Sequence, residues 1–198
     1  QAHDAAPGFA LGDIGSHIVD LTQHLLASAI VEVSGLTETF VTERPDGDSG
    51  DVAPVTVDDA AMFLAKFKNG AIGTFEASRF AVGRKNHHRW EINGSKGSVA
   101  FNLERMNELE FYDAQEPDAT HGFRLIQATE SSHPYAGRYW PVGHIIGYEH
   151  TFVNLVADAL IAMHEGRQPS PNFDDGFENQ RVLDAVERSH AERAWVSL

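Results

Sequence analysis

The sequence of 198 residues contains no cysteine. That absence removes disulfides, thiolate metal sites and thiol nucleophiles, and it fits a reducing compartment. Basic residues are scarce: 15 Lys and Arg face 29 Asp and Glu, for a net charge of −14 with histidine neutral. Nucleic-acid recognition needs clustered cations, so neither nucleic acid nor an anionic membrane is an expected partner. No stretch approaches the roughly 18 uninterrupted apolar residues of a transmembrane helix. The opening residues QAHDAAPG have neither a basic nor an apolar run and do not read as a secretory signal, so a cytoplasmic location is expected. The familiar catalytic signatures are missing too: no G-x-G-x-x-G, Walker A loop, H-E-x-x-H or G-x-S-x-G occurs. GAIG and GSKG read as hairpin turns, and GDIGSH lacks the strand–elbow–helix setting of a serine nucleophile. What remains is an ordinary folded composition, 42% apolar and 22% charged.

Helical and extended segments alternate in blocks. A first helix is expected over about Gly15 to Ala27, with Ile14, Ile18, Leu21 and Leu25 as its apolar stripe. AIVEVSGLTETFVTER is rich in β-branched residues and runs into the turn-like PDGDSGD. Asn69-Gly70 sits between two apolar runs, the residue pair of a two-residue type I′ hairpin. Such a turn would pair Lys68 with Ala71, Leu64 with Phe75 and Ala60 with Arg79. Phe63 and Phe67 would then share one face, with Met62, Leu64 and Phe75 on the other. Two apolar faces point to helices on one side and a second subunit on the other.

RWEINGSKGSVAFN predicts another hairpin with a longer NGSKG turn, and NELEFYD and GFRLIQATE predict further strands. Two helices close the chain. The first carries Phe152, Leu155, Val156, Ala159 and Met163 on one stripe and stops at Gly166; the second starts at an Asp cap and packs through Val182, Ala185, Val186 and Ser189. AWVSL reads as a short edge strand. The expected architecture is a single α+β domain over residues 1–198: a large, mostly antiparallel open sheet with helices packed on one face.

Chemistry concentrates on the first helix. Asp13, His17, Asp20 and His24 follow one another at steps of four, three and four, so they share a face. A carboxylate one turn from an imidazole can orient it and stabilise its charged form, which suits a proton relay near neutral pH. Two other readings stand beside this one. Asp13 and His17 also fit a helix cap and a partly buried polar side chain. The whole ladder, helped by Glu149, His150 or His164, also fits a divalent metal. Two loops could meet a ligand: GRKNHHRW, the one basic knot in an acidic chain, and PYAGRYWPVGH, whose Tyr135, Tyr139, Trp140 and His144 combine aromatic bodies with polar tips. Both also read as ordinary surface loops.

The segments ALGDIGSHIVDL, VDDAAMFLAKFKNGAIGTFEASR, EINGSKGSVAFNLERMNELEFY and the closing YEHTFVNLVADALIAMHEGRQPSPNFDDGFENQRVLDAVERS together resemble the second domain of the Gfo/Idh/MocA family. These are NAD(P)-dependent sugar and inositol dehydrogenases related to glucose–fructose oxidoreductase, and members acting on inositols and anhydrosugars are nearest in character. The resemblance implies the C-terminal-domain fold of that group. It implies that His17 acts on a substrate hydroxyl proton and that Asp13 positions and tunes it. The loop after EASR leans over the pocket in relatives, which implies substrate contacts for Arg84, Lys85 and Asn86; His144, in the aromatic loop, joins them as a candidate. Family members also carry an N-terminal Rossmann half with a Gly-rich loop and an E-K-P-like segment whose Lys completes the catalytic set. Neither is in this sequence. The expectation is therefore a substrate and oligomerisation domain that forms homo-oligomers through its sheet and is inactive alone. NAD or NADP would be bound mainly by the missing Rossmann domain, and the substrate would be a sugar or polyol. A carbohydrate- or partner-binding sheet domain without catalysis is the alternative.

Overall fold

The computed structural model describes residues 10–45 and 50–198. It is α+β, and every strand pair among the described residues is antiparallel. The chain divides into two units, one from Gln1–Val82 with Pro171–Leu198, the other from Gly83–Ser170. The strands hydrogen-bond as one four-stranded sheet in each unit plus a two-stranded ribbon.

In the first unit a single π turn, Leu11–Gly15, leads into helix α1, Ser16–Leu26. The Ser16 amide reaches back five residues to the Leu11 carbonyl. The buried stripe is Leu11, Gly15 and Val19; of the expected stripe, Ile18 packs against the core while Leu25 is exposed. The sequence offers two overlapping apolar stripes, and close approach at Gly15 selects between them. A Cβ there would lie 3.2 Å from Leu11 Cδ1 and 3.8 Å from Ala77 Cβ, so this face sits hard on the sheet.

That sheet is built from β1 (Ile30–Glu38), β4 (Ala60–Phe67), β5 (Ile72–Ser78) and the terminal edge strand β10 (Val196–Ser197), in the order β10-β1-β4-β5. The ribbon is β2 (Glu43–Pro45) with β3 (Val52–Pro54). Asn69-Gly70 does turn the β4–β5 hairpin, but through three residues. The Phe67 amide donates to the Ala71 carbonyl and the Gly70 amide to the Phe67 carbonyl, both at 2.9 Å, with Gly70 at φ +88°. This is the bulged three-residue loop, not a two-residue turn. Phe63 therefore pairs with Phe75 and Ala60 with Ser78, one residue away from the expected register. A one-residue slip moves a strand's whole side-chain set to the opposite face. Phe63, Phe67 and Phe75 consequently share the buried face, Phe63 and Phe75 stacked with ring centroids 4.5 Å apart. Met62, Leu64 and Ile72 are exposed on the other.

Helix α3 (Phe173–Glu192) covers the inner face through Val182, Leu183, Ala185, Val186 and Ser189. Its cap is Asn172, not an Asp: Asn172 Oδ1 accepts the Asp174 amide at 2.6 Å, and Asp175 Oδ2 accepts the Asn172 amide at 2.7 Å. Asp175 is thus the third-position partner of a capping box. Gly35 on β1 admits the helix, since a Cβ there would stand 2.7 Å from Val186 Cγ1. Ser189 Oγ accepts the Gly35 amide at 2.9 Å and donates to the Ala194 carbonyl at 2.5 Å, joining β1, α3 and the approach to β10.

The second unit is a meander of β6 (Arg89–Gly94), β7 (Gly97–Asn102), β8 (Glu108–Asp113) and β9 (Arg124–Gln127), followed by α2 (Glu149–Glu165). The β6–β7 turn is tighter than expected: Gly94 pairs with Gly97, leaving only Ser95-Lys96 as the loop. Helix α2 buries Ala162, whereas Phe152, Leu155, Val156 and Met163 of the expected stripe are exposed. The helix is apolar nearly all round, so periodicity does not single out a face.

Candidate active site

The dipeptide Asp58-Asp59, at the start of β4, gathers three other segments. The Asp58 carbonyl accepts the Ala10 amide at 3.2 Å, and Asp58 Oδ2 accepts the Leu11 amide at 2.9 Å. These two bonds fix the beginning of the π turn. The Asp59 carbonyl accepts the Arg79 amide at 2.9 Å, fixing the end of β5. The fully buried Asp59 carboxylate accepts the Phe40 and Val41 amides at 2.8 and 2.9 Å and pairs with Arg44 Nη2 at 3.0 Å. Burial pushes the Asp58 carboxyl above its usual range, against the pull of the Leu11 amide. Its Oδ1 is buried with no hydrogen-bond partner among the described residues.

Held this way, the π turn presents Asp13 and the end of β5 presents Arg79, and the Arg79 guanidinium donates to Asp13 Oδ2. His17 stands one turn further along α1, exposed, with no hydrogen bond to any described residue. Asp20 is half-buried and His24 exposed on the same ladder. Among the described residues, no group of three or more His, Cys, Asp or Glu lies close enough to hold a metal ion.

The remaining candidates all belong to the second unit. Arg84 Nη1 pairs with Glu104 Oε2 at 3.2 Å, and the Lys85 amide donates to Glu104 Oε1 at 2.8 Å. The Lys85 amide bond, with Arg84 beside it, holds the Glu104 carboxyl below its usual value. Asn86 is exposed on the same loop. His144 is exposed, with Nδ1 2.9 Å from the Pro141 carbonyl. In the aromatic loop the Tyr135 hydroxyl donates to Asp158 Oδ2 at 2.6 Å, which raises the phenol above its normal value, and the Tyr139 hydroxyl donates to Asn154. His150 Nδ1 accepts the Gly147 amide at 3.0 Å. Sequence reasoning missed Arg79, Asp58 and Asp59. The available signal was two adjacent carboxylates directly before the alternating apolar run of a strand, a place where charge must find partners.

Residues 2–100 match the family model described as the GFO/IDH/MocA C-terminal domain. The chain belongs to the GFO/IDH/MocA family. It is 36% identical to levoglucosan dehydrogenase of Pseudarthrobacter phenanthrenivorans, over 96% of this chain and 51% of that protein. Among solved structures, an oxidoreductase domain protein from Kribbella flavida matches with a TM-score of 0.92 and 58% identity, over 96% of this chain and 50% of that one. Levoglucosan dehydrogenase in complex with NADH and levoglucosan matches with a TM-score of 0.90 and 37% identity, at the same two coverages. The chain thus spans about half the length of the family members it matches. The family expected from the sequence motifs is the family found. No helix among the described residues is long and apolar enough to cross a membrane.

Proposed function

We propose that this chain is the substrate-binding, proton-handling part of an oxidoreductase that moves hydride between NAD(P) and a hydroxyl of a sugar or cyclitol. The observation that carries the reading is Asp13 and His17 together on the exposed side of one helix, in a chain 36% identical to levoglucosan dehydrogenase. His17 receives the proton of the reacting hydroxyl, and Asp13 positions the imidazole and stabilises its charged form. Arg84, Lys85, Asn86 and His144 serve as sugar contacts. NAD or NADP supplies the oxidation chemistry. A dinucleotide needs a closely spaced set of glycines between a strand and a helix to cradle its phosphates; no G-x-G-x-x-G occurs here, and Gly70, Gly94 and Gly97 serve the β4–β5 and β6–β7 hairpin turns. The described residues do not fit that cofactor by themselves. The nucleotide is therefore assigned to the half of the relatives that this chain does not span.

The two units together serve as one substrate and oligomerisation domain. Leu36, Met62, Leu64 and Ile72, exposed on the outer face of the first sheet, support self-association of the cytoplasmic protein. The test is NAD(P)-linked oxidation of a panel of sugars, anhydrosugars and inositols. Turnover is expected from the protein joined to a dinucleotide-binding half and none from the 198 residues alone, with His17→Ala lowering kcat by about 10²–10⁴-fold. Turnover by the 198 residues alone, or an indifferent His17→Ala, contradicts the reading.

A further inference from the structure

Asp13 stands one turn before His17, yet the structure bonds its carboxylate to Arg79. Both partners of that ion pair are fixed by the same dipeptide. Asp58 ties down Leu11, two residues before Asp13, and Asp59 ties down the Arg79 amide. Pairs held by their backbones from both sides keep their geometry with little loss of side-chain freedom, unlike ordinary surface ion pairs. His17 follows Asp13 by four residues, the spacing at which an imidazole and a carboxylate meet on a helix.

We infer that Arg79 is a positioning residue: it competes with His17 for the Asp13 carboxylate and holds that carboxylate in the ligand-free protein. Asp13 then reaches His17 only when Arg79 is drawn away. Hydroxyl oxygens of a polyol are suitable acceptors for the released guanidinium donors. This rests on Asp13 and His17 being the proton-handling pair, yet it is tested by titration rather than turnover, so the two readings can fail separately.

The experiment follows the His17 imidazole by nuclear magnetic resonance through its titration, in a cycle of parent, Arg79→Met, Asp13→Asn and the double variant. Removing Arg79 takes away a positive charge in either background, and that direct effect is measured by itself where Asp13→Asn is already present. Other charged groups on the elements packed around the turn are Asp20 on the helix, Asp58 and Asp59 at the start of β4, Arg44 on Asp59, and, on α3, Asp175 with the Glu178–Arg181 pair around Asn179, which donates to the Ser16 carbonyl at 3.1 Å. These are common to all four proteins and cancel in the cycle. With Asp13 present, Arg79→Met is expected to raise the His17 midpoint by about half a pH unit or more beyond the rise it causes in the Asp13→Asn background, as a freed carboxylate nearby favours the imidazolium. An equal rise in both backgrounds, or none, overturns the inference. Arg79→Leu, which likewise removes both the charge and every donor to Asp13, carries the same comparison if Arg79→Met unfolds the protein.

Discussion

Phe63, Phe67 and Phe75 of the first unit are 5%, 3% and 8% exposed, whereas Phe152 and Phe123 of the second are 54% and 50% exposed. The contrast runs through both units. Among the described residues, the buried apolar side chains of the second unit are three alanines, Ala100, Ala136 and Ala162; the larger ones all lie in the first. The first unit is held by burial, each large side chain removed from water contributing about 1.5–3 kcal/mol. The second is held by its strand ladders, ring contacts such as Trp90–Phe101 at 5.8 Å, and polar pins. One such pin is Asn107, which donates to the Ile146 carbonyl at 2.8 Å and accepts the Ile146 amide at 3.0 Å. Secondary structure can thus be equally regular in two regions that owe their stability to different forces.

The sharpest way to break this comparison is a matched pair of truncations. Phe63→Ala is expected to lower unfolding stability by about 3–5 kcal/mol and Phe152→Ala by less than about 1 kcal/mol, measured by urea denaturation. Equal losses would mean that the second unit has a core after all. A smaller effect belongs to Asn107→Ala, which leaves a carbonyl and an amide unpaired, for a loss of about 1–3 kcal/mol. Hydrogen exchange should show that loss in Gly83–Ser170 and leave the amides of β1, β4 and β5 protected. Spread of the faster exchange into those strands would count against two separately stabilised regions.

The subtlest effect concerns the buried carboxyl of the first unit. Asp58 is raised above its ordinary value by burial, so the folded protein keeps that proton to higher pH than the unfolded chain does. Its contribution is therefore most favourable at and below the ordinary carboxylate value, and is lost as pH rises through the raised one. Asp58→Asn keeps an acceptor for the Leu11 amide but cannot ionise. Its urea midpoint should gain on the parent's as pH is raised from about 4 to 7. Parallel curves would show that Asp58 keeps an ordinary carboxylate value despite its burial.

Much of this fold was legible. The strands follow from their β-branched runs and turn residues, and the last helix with its packing face Val182, Ala185, Val186 and Ser189 follows from periodicity, because it must bury one face. Two of the misses turn on a single residue of local geometry, whereas the stripe expected on α2 fails because that helix is apolar nearly all round. An Asn-Gly pair fits both a two-residue and a bulged three-residue loop, and the choice decides whether Phe75 lies inside or outside. Asn172 and the Asp residues after it are all competent caps, and only the geometry shows which one closes the box. At the site, Asp13 and His17 were visible because helical spacing puts them together. Arg79 was not, because its partner lies 66 residues away in the chain, and no local pattern encodes such a meeting.

The first unit is also discontinuous: it begins before Val82 and is completed by Pro171–Leu198, after the whole of the second. During synthesis, Phe63, Phe67 and Phe75 leave the ribosome long before α3 exists to cover them. Their strands must wait, with an unfinished apolar face, until Pro171–Leu198 arrives. The Ser189 hydroxyl then bonds Gly35 and Ala194 at once, and β10 adds itself to the edge of β1. Closure across so long a separation is slow, and the half-made sheet is the stage most exposed to aggregation. The last turn of α3 and the strand after it therefore act as the clasp of the unit, and shortening the chain by those few residues would strand everything made before them.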